Sequence, residues 1–429
     1  TLDLVAQEYP YPYCYSGCDS EARGHEVYPV LFTHPANADK DWAIKKLDPK
    51  ITYFTREWGD NVDDWNSHNS PSRVARNWGE QAMLIQAWHY AAPNYPYTCY
   101  DVLYRTPRQH VGGCLWHSFD HQRGYHPDPF YGGLMDVFRQ PKYSYYMFQA
   151  QRSPKKQDRL FETGPMVYIA HEMTPFSPKD VTVYSNCDEV RLTYNKGGKS
   201  LTYTKPVSRE GMPSPIITFK DVYNFMIDKN MSMKEGRQKE VFLLAEGLIN
   251  GKVVATHKVC PARRPSKLLL WIDNENTELK ADGSDFVTVI AAIADKNGNI
   301  KRLNNYYVKF HIEGEGRILG GANVLANPAP VKWGTAPILV QSTLKPGKIK
   351  ITASVLFEGS QMPVSAELEL ESKPSAYPLI YASEEAALIP MKSDSQSFPI
   401  TAKPQKELEK EKAVKEQNER KLKEVEQQQ

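Results

Sequence analysis

The chain has 429 residues, 41% of them hydrophobic and 24% charged, with 25 glycines and 31 prolines. That length exceeds what one core normally fills and points to several domains rich in turns and loops. Its 53 basic residues oppose 51 acidic ones for a formal charge of +2. With no basic stripe, nothing in the sequence would recruit nucleic acid or an acidic membrane. No apolar run is long enough for a membrane span, and no leader-like segment opens the chain.

The 25 tyrosines and 8 tryptophans are dense in the first third, as at Tyr9, Tyr11, Tyr13 and Tyr15, then Trp58, Trp65, Trp78, Trp88 and Trp116. Such rings either fill a core or line a polar cleft, where the C–H faces of sugars stack on them. Six cysteines, at 14, 18, 99, 114, 187 and 260, are too few for a disulfide-built scaffold. Cys14 and Cys18 lack a second pair at zinc-ligand spacing, and no metal or other cofactor is expected.

In chain order, the first strand signal is Ile51–Thr55, a β-branched and aromatic run that leads into Arg56-Glu57-Trp58-Gly59-Asp60. Ser72–Tyr90 follows with helical spacing, Pro71 at its start and Val74, Trp78, Ala82, Ile85 and Trp88 or His89 near one face. Val111–Trp116 is the second strand, ending at His117-Ser-Phe-Asp120-His121. Strand, helix and strand of this kind predict a parallel βαβ unit within residues 1–150. Polar residues gathered at the carboxyl ends of its strands are where an α/β barrel keeps its chemistry. A whole barrel needs roughly 250 residues, so this stretch is either a smaller α/β layer or the last part of a barrel.

The pattern changes at the charged connector 152–159. Strands are predicted at Val167–His171, Asp180–Tyr184, Glu189–Tyr194, Leu201–Thr204, Glu240–Ala245 and Val253–Cys260, with a turn at Asn195–Gly198. They make one β-sandwich over about 160–265. A second, over about 266–372, takes Lys267–Ile272, Phe286–Ala294, Tyr306–Glu313, Ile338–Ser342, Lys348–Phe357 and Pro363–Glu371, with turns at Asp295–Gly298 and Pro346-Gly347. Residues 373–404 lack periodicity and read as a linker. Lys403–Glu426 mixes charges at helix-supporting spacing, as in Glu411/Lys415 and Glu416/Arg420, and reads as a charged, helical tail.

Glu57 is the carboxylate of most interest. A glutamate at the end of an apolar strand, followed by an aromatic and a glycine, suits the mouth of a barrel, although a charged strand end without chemistry has the same spacing. Retaining glycoside cleavage uses one carboxylate as nucleophile and a second as acid and base, about 5–5.5 Å away. Trp116 could floor a sugar ring, with His117, Asp120 and His121 holding its hydroxyls. His117 and His121 lack the flanking glutamate of a zinc helix, and each also fits an ordinary satisfied histidine.

Residues 48–148 resemble the end of the catalytic barrel of the glycoside hydrolase family that contains β-galactosidase, β-glucuronidase and β-mannosidase. ITYFTREWGD is similar to the family's seventh strand, which ends in the nucleophile, and VGGCLWHSFDH to its eighth. Tyr131–Asp136 and Lys142–Tyr146 resemble the barrel exit, and residues 181–200 the immunoglobulin-like domain behind it. The resemblance implies a multidomain α/β plus all-β chain: the last part of a TIM barrel, then two immunoglobulin-like sandwiches. It implies Glu57 as nucleophile, with Trp58, His89, Trp116, His117, Asp120 and His121 contacting substrate.

The substrate so implied is a β-linked oligosaccharide with a terminal galactosyl unit. A β-glucuronide is the alternative, for which Arg56, Arg73, Arg76 and Arg123 would supply positive charge. The family's acid/base glutamate follows an asparagine upstream, yet only 56 residues precede Glu57 and none of them forms an Asn-Glu pair. Glu8, Glu21 and Glu26 do not match that motif, so the acid/base is unassigned. The expectation is a fragment, a processed half or a split-gene product that needs an amino-terminal segment or partner chain, located in a bacterial periplasm or secreted rather than cytoplasmic. The rival reading is a carbohydrate-binding or assembly module.

Overall fold

A computed structural model describes residues 2–9, 15–16, 22–32, 48, 50–58, 70–91, 108–122, 129–155, 164–195, 199–204, 212–234, 241–273, 277–356 and 362–376. The turn at Asn195–Gly198 beyond Asn195, most of the linker and the charged tail lie outside these residues. The chain divides into two compact units, the first made of Thr1–Leu269, Ala292–Asn305 and Lys332–Thr335, the second of Leu270–Ala291, Tyr306–Val331 and Ala336–Gln429. The architecture is multidomain, α/β followed by β-sheet. The described strands do not close into a barrel.

The first unit opens with α1 (Leu2–Glu8) and a three-stranded sheet in the order β1 (Val30–Phe32), β2 (Thr52–Trp58), β3 (His110–Leu115). Both pairings are parallel, with Leu31 opposite Tyr53 and Thr55 opposite Gly113. Leu31 and Tyr53 are buried, so the sheet carries a packed face as well as its ladder. β1 was not expected, because three residues are too short to show a period.

Between β2 and β3 lies α2 (Glu80–Ala91), eight residues shorter at its start than the periodicity predicts. Gly79 explains the difference. It holds φ +94°, and only Arg76–Trp78 before it form a single 3₁₀ turn. The buried face is Met83, Gln86, Ala87 and Tyr90, whereas Trp78, Ile85 and Trp88 are 45%, 56% and 47% exposed. The predicted face holds at Val74, Ala82 and His89 and is corrected at Trp78, Ile85 and Trp88, which point outward, while a mixed polar and apolar stripe meets α3 (Tyr143–Gln149). Met83, Ala87 and Tyr90 share a cluster with Tyr143 and Met147.

Two antiparallel sheets follow. One is β4 (Val167–Ala170), β5 (Val181–Ser185) and β8 (Ile217–Phe219), in that spatial order. The other is ordered β10 (Lys252–Val259), β9 (Leu243–Ile249), β6 (Glu189–Tyr194), β7 (Lys199–Thr204). Val167, Ile169, Val181 and Val183 of the first share one buried core with Val190, Leu192, Leu243 and Ala245 of the second. Inward apolar residues from two sheets make a sandwich core. A helix missed in the sequence, α4 (Phe225–Lys234), leads out of β8. It hid because its apolar residues do not form a stripe: Met226 and Ile227 are exposed while Asp228 is buried.

His171, just after β4, carries a pH prediction. Its Nε2 donates to the Pro178 carbonyl at 2.9 Å, and its Nδ1 accepts the Met173 amide at 3.1 Å. The neutral ring thus satisfies both partners, and a second proton would displace the amide. Burial lowers its pKa from the model-compound value of 6.5 to about 4. The unfolded chain takes up the proton first as pH falls, so this contribution to stability is full above about 6.5 and is lost on the way down to about 4. Denaturant midpoints measured across that window should fall with pH, and His171→Gln should flatten the slope; an equal slope in both proteins would refute the assignment.

The second unit holds the larger part of two further sheets. One is ordered β11 (Lys267–Asp273), β13 (Phe286–Ala294), β17 (Thr335–Ser342), β15 (Gly316–Ile318). The other is ordered β12 (Lys280–Ala281), β19 (Ala366–Pro374), β18 (Gly347–Leu356), β14 (Tyr307–Gly314), β16 (Ala329–Pro330). Along β14, Val308, Phe310 and Ile312 are buried while Tyr307, Lys309 and His311 are exposed, as a half-covered strand requires. They face Val355, Ala353 and Ile351 of β18 in register. Asp295 closes the predicted 295–298 turn by accepting the Asn297 and Asn299 amides, with Gly298 at φ +91°.

Candidate active site at the strand ends

The parallel register of β2 and β3 places Trp58 opposite Leu115. The backbone of Glu57, next to last in β2, therefore lies one position before the pairing that leads into Trp116. The side chains of Arg56, Glu57 and Trp58 are outside the described residues. Register is pinned from the interior, where buried Thr55 Oγ1 and His110 Nε2 lie 2.8 Å apart. A period-two element displaced by one residue would present its opposite face, so such a cross-strand bond has positional value.

Trp116, His117 and His121 come together after β3. The His117 ring lies 4.3 Å from His121 and 5.3 Å from Trp116, and Phe130 completes the group at 4.7 Å from His117. His117 Nδ1 donates to the Phe119 carbonyl at 2.9 Å, which fixes that nitrogen as the protonated one when the ring is neutral. Arg73, buried, lies 3.9 Å from the centre of the Phe130 ring, a cation–π contact behind the group. Phe130 was not singled out in the sequence; its only signal is its place next to Tyr131-Gly132-Gly133.

Asp120 occupies a different position from its neighbours. Its side chain is buried, Oδ1 accepts Lys142 Nζ at 2.7 Å, and the same oxygen accepts the Gly133 amide at 2.9 Å. Lys142 is fully buried and also donates to the Tyr131 carbonyl at 2.9 Å. Burial raises the Asp120 carboxyl against the opposing pull of Lys142, and burial likewise lowers the Lys142 ammonium. The described contacts of Asp120 are those of a brace inside the loop.

Backbone bonds complete the brace. Asp120 donates to Met135, His121 and Phe130 exchange amide hydrogen bonds, and Ser118 accepts from Leu134 and Met135. Gln86 and Tyr90 of α2 reach the same loop, donating to the Gly133 and Gly132 carbonyls at 3.3 and 2.7 Å. Gly133 sits where no side chain fits, since a Cβ there would lie 2.2 Å from the Asp120 nitrogen.

His89 is buried on α2 with its ring against Tyr90, and its described ring contact is not with the Trp116 group. Arg76, considered for a uronate, is engaged elsewhere: Nε meets Asp136 Oδ2 at 2.9 Å, and Nη2 reaches Thr335 Oγ1 and the Lys332 carbonyl. Among the described residues no cluster of His, Cys, Asp and Glu has the form of a metal site. No helix among them is long and apolar enough to cross a membrane.

Residues 270–356 match the profile of glycoside hydrolase family 2 C-terminal domain 5. The chain is 32% identical over 273 residues to a β-galactosidase of Thermoanaerobacter pseudethanolicus, covering 62% of this chain and 34% of that protein. It is 28% identical over 261 residues to a β-galactosidase of Bacteroides ovatus, covering 57% and 27% respectively. In fold, it is similar to the structure of a β-glucuronidase from the same family, with a TM-score of 0.55 and 20% identity over 84% of this chain and 35% of that one. The chain thus carries a C-terminal domain of glycoside hydrolase family 2 and is related at low to moderate identity to β-galactosidases. It spans between about a quarter and a third of the length of the curated relatives it matches.

Proposed function

We propose that the chain is the carboxyl-terminal part of a retaining β-galactosidase, in which β2 and β3 are the last two strands of a catalytic barrel and Glu57 is the nucleophile. On this reading residues 1–150 close the barrel, 160–265 and 266–372 are immunoglobulin-like sandwiches, and 373–429 form a linker and tail. The observation that supports it is the parallel pairing of β2 with β3, Trp58 opposite Leu115, which brings the end of β2 to the strand that leads into the Trp116, His117 and His121 group. The family 2 C-terminal domain and the β-galactosidase relatives make a glycosidic bond the natural target of that arrangement.

Glu57 would attack the anomeric carbon while an acid from another segment protonates the leaving oxygen, and activated water would then release the sugar. Trp116 would pack on the ring, and the paired histidines would meet its hydroxyls. Their value lies in contacts that tighten as the ring flattens toward the transition state. Asp120 and Lys142 serve by holding the loop. Two relatives described as β-galactosidases favour a galactosyl unit. A β-glucuronide is less well served, because Arg76 is held by Asp136 and Arg73 lies over Phe130.

The test is hydrolysis of an activated aryl β-galactoside and of the matching β-glucuronide, by the chain alone and with any polypeptide that co-purifies with it. Glu57→Ala is run alongside, and intact masses are recorded. The preparation that contains the acid/base should prefer the galactoside, lose turnover in Glu57→Ala and regain it with azide as an external nucleophile. Turnover indifferent to Glu57→Ala would overturn the nucleophile, and preference for the glucuronide would overturn the sugar. Saturable galactoside binding without turnover in every preparation would leave a carbohydrate-binding module.

A further inference from the structure

The tight turn Lys332–Thr335 belongs to the first unit, and it lies inside the 270–356 stretch that matches the family 2 C-terminal domain. Lys332 and Thr335 exchange backbone hydrogen bonds across it, so Trp333 and Gly334 are its two central residues, with φ of 51° and 83°. A two-residue turn of this hand favours asparagine followed by glycine. Gly334 meets that preference and has no alternative, since a Cβ there would lie 2.6 Å from Ile300 Cγ2. Trp333 does not meet it, because a bulky side chain is a poor occupant of the left-handed region. A residue held against its backbone preference directs attention to what its side chain does.

The Trp333 indole lies against the residue that precedes α2. A Cβ on Gly79 would be 3.2 Å from Trp333 Cζ3, and the backbone of that glycine sets where the helix begins. Trp333 also packs on the same buried cluster as Leu115, at the end of β3, and Leu134, in the loop that braces Asp120. Two arginines hold the turn by its carbonyls: Arg302 Nη1 donates to Trp333 at 3.3 Å, and Arg76 Nη2 donates to Lys332 at 3.1 Å. Arg76 is buried, and its Nε donates to Asp136 Oδ2 at 2.9 Å. The chain just before Asp136 seats the aromatic group. Met135 accepts the Asp120 amide, and the amides of Leu134 and Met135 both donate to the carbonyl of Ser118, the neighbour of His117. A site carried on a loop is only as well placed as the contacts behind it.

We propose that the 332–335 turn positions the Trp116, His117 and His121 group, with Trp333 and Arg76 as its positioning residues. Trp333 sets the start of α2 through Gly79, and α2 in turn holds the loop through Gln86 and Tyr90. Arg76 carries the place of the turn to Asp136, and so to the segment that seats His117. Both residues act through the loop. The proposal rests on the proposed function only in taking that group as the sugar-facing side of the cleft. It gives a segment of the C-terminal domain a part in shaping that cleft.

The experiment is nitrogen NMR of the full chain labelled at histidine, with the His117 ring signals assigned by their loss in His117→Gln. In the parent the neutral ring should be protonated at Nδ1, the nitrogen that donates to the Phe119 carbonyl. Trp333→Asn places the residue this turn favours where the indole stood, so the backbone keeps its shape while the contact with Gly79 is lost. The share of rings protonated at Nε2 instead should then rise about threefold or more, and Trp333→Phe should recover part of the difference. Arg76→Lys keeps the charge but not the fork that spans Asp136 and the Lys332 carbonyl, and should shift the ring in the same sense. Lys309→Gln, on the exposed face of β14, should change nothing. An indole that only adds stability would lower the melting temperature and leave His117 of the folded protein as in the parent. That result in Trp333→Asn, or in Arg76→Lys if the first variant does not fold, would overturn the proposal, as would an equal shift in Lys309→Gln. No arm uses hydrolysis, so a misassigned nucleophile, shown by turnover indifferent to Glu57→Ala, is a separate failure.

Discussion

Lys142→Met should destabilise the first unit by about 3–5 kcal/mol, the cost of stranding one partner of a buried ion pair. The substitution keeps the length and apolar stem of the side chain and removes only the ammonium. Asp120 then faces a site in which its remaining described donor is the Gly133 amide. A typical domain is stable by about 5–15 kcal/mol in all, so the loss would be visible as a lower denaturant midpoint at unchanged slope.

Two controls separate charge from packing. Replacing both partners, as Asp120→Leu/Lys142→Met, should be milder than the single lysine variant, because a buried pair can be exchanged for apolar groups at little cost. The single variant should also be less impaired in acid. Burial already raises the Asp120 carboxyl, and without Lys142 it rises further, so its penalty grows as pH climbs above the unfolded value of about 3.9. A Lys142→Met protein with the parent midpoint at neutral pH would show that the pair does not hold the loop.

Gly133→Ala should cost about 3 kcal/mol or more, at the upper end for overpacking. An added methyl would lie 2.2 Å from the Asp120 nitrogen, 2.3 Å from the Phe119 carbonyl carbon and 2.5 Å from the Met135 oxygen. All three are backbone atoms tied into the same loop, so none can swing aside as a side-chain tip would. Gly321→Ala is the comparison, since nothing lies within 4 Å of its Cβ position and its φ of −130° suits any residue. It should stay within about 0.5 kcal/mol of the parent. Equal midpoints for the two variants would overturn the close packing of Gly133 against residues 119, 120 and 135.

The longer strands of the β-sheet region are legible in the sequence, because half-covered strands such as β14 and β18 write their burial as alternation. Glu189–Tyr194 and Phe286–Ala294 were placed to the residue. Three-residue strands such as β8 and β15 carry too little period to be seen. The start of α2 differs from the helical spacing because Gly79 takes φ +94°, an angle that a helix does not hold, although the apolar spacing runs on before it. The aromatic group was foreseen in Trp116, His117 and His121. Its fourth ring and its brace were not. Lys142 follows a proline on an apparently polar stretch, and nothing local distinguishes a fully buried lysine from the far commoner exposed one. The side-chain partner of Asp120, Lys142, lies 22 residues away, so their pairing leaves no local signal.

The Thr55–His110 contact has a consequence for how mutations act at a distance. Strand β2 is a short rail with Glu57 two residues past the pin, and alternate residues along it face opposite ways. A variant that loosens the pin need not unfold the sheet to be harmful. If β2 slides by a single position against β3, the carboxylate exchanges one side of the sheet for the other while every ladder bond can be remade. Thr55→Val is therefore a substitution whose damage would be sought in alignment, with near-normal melting and a misdirected Glu57.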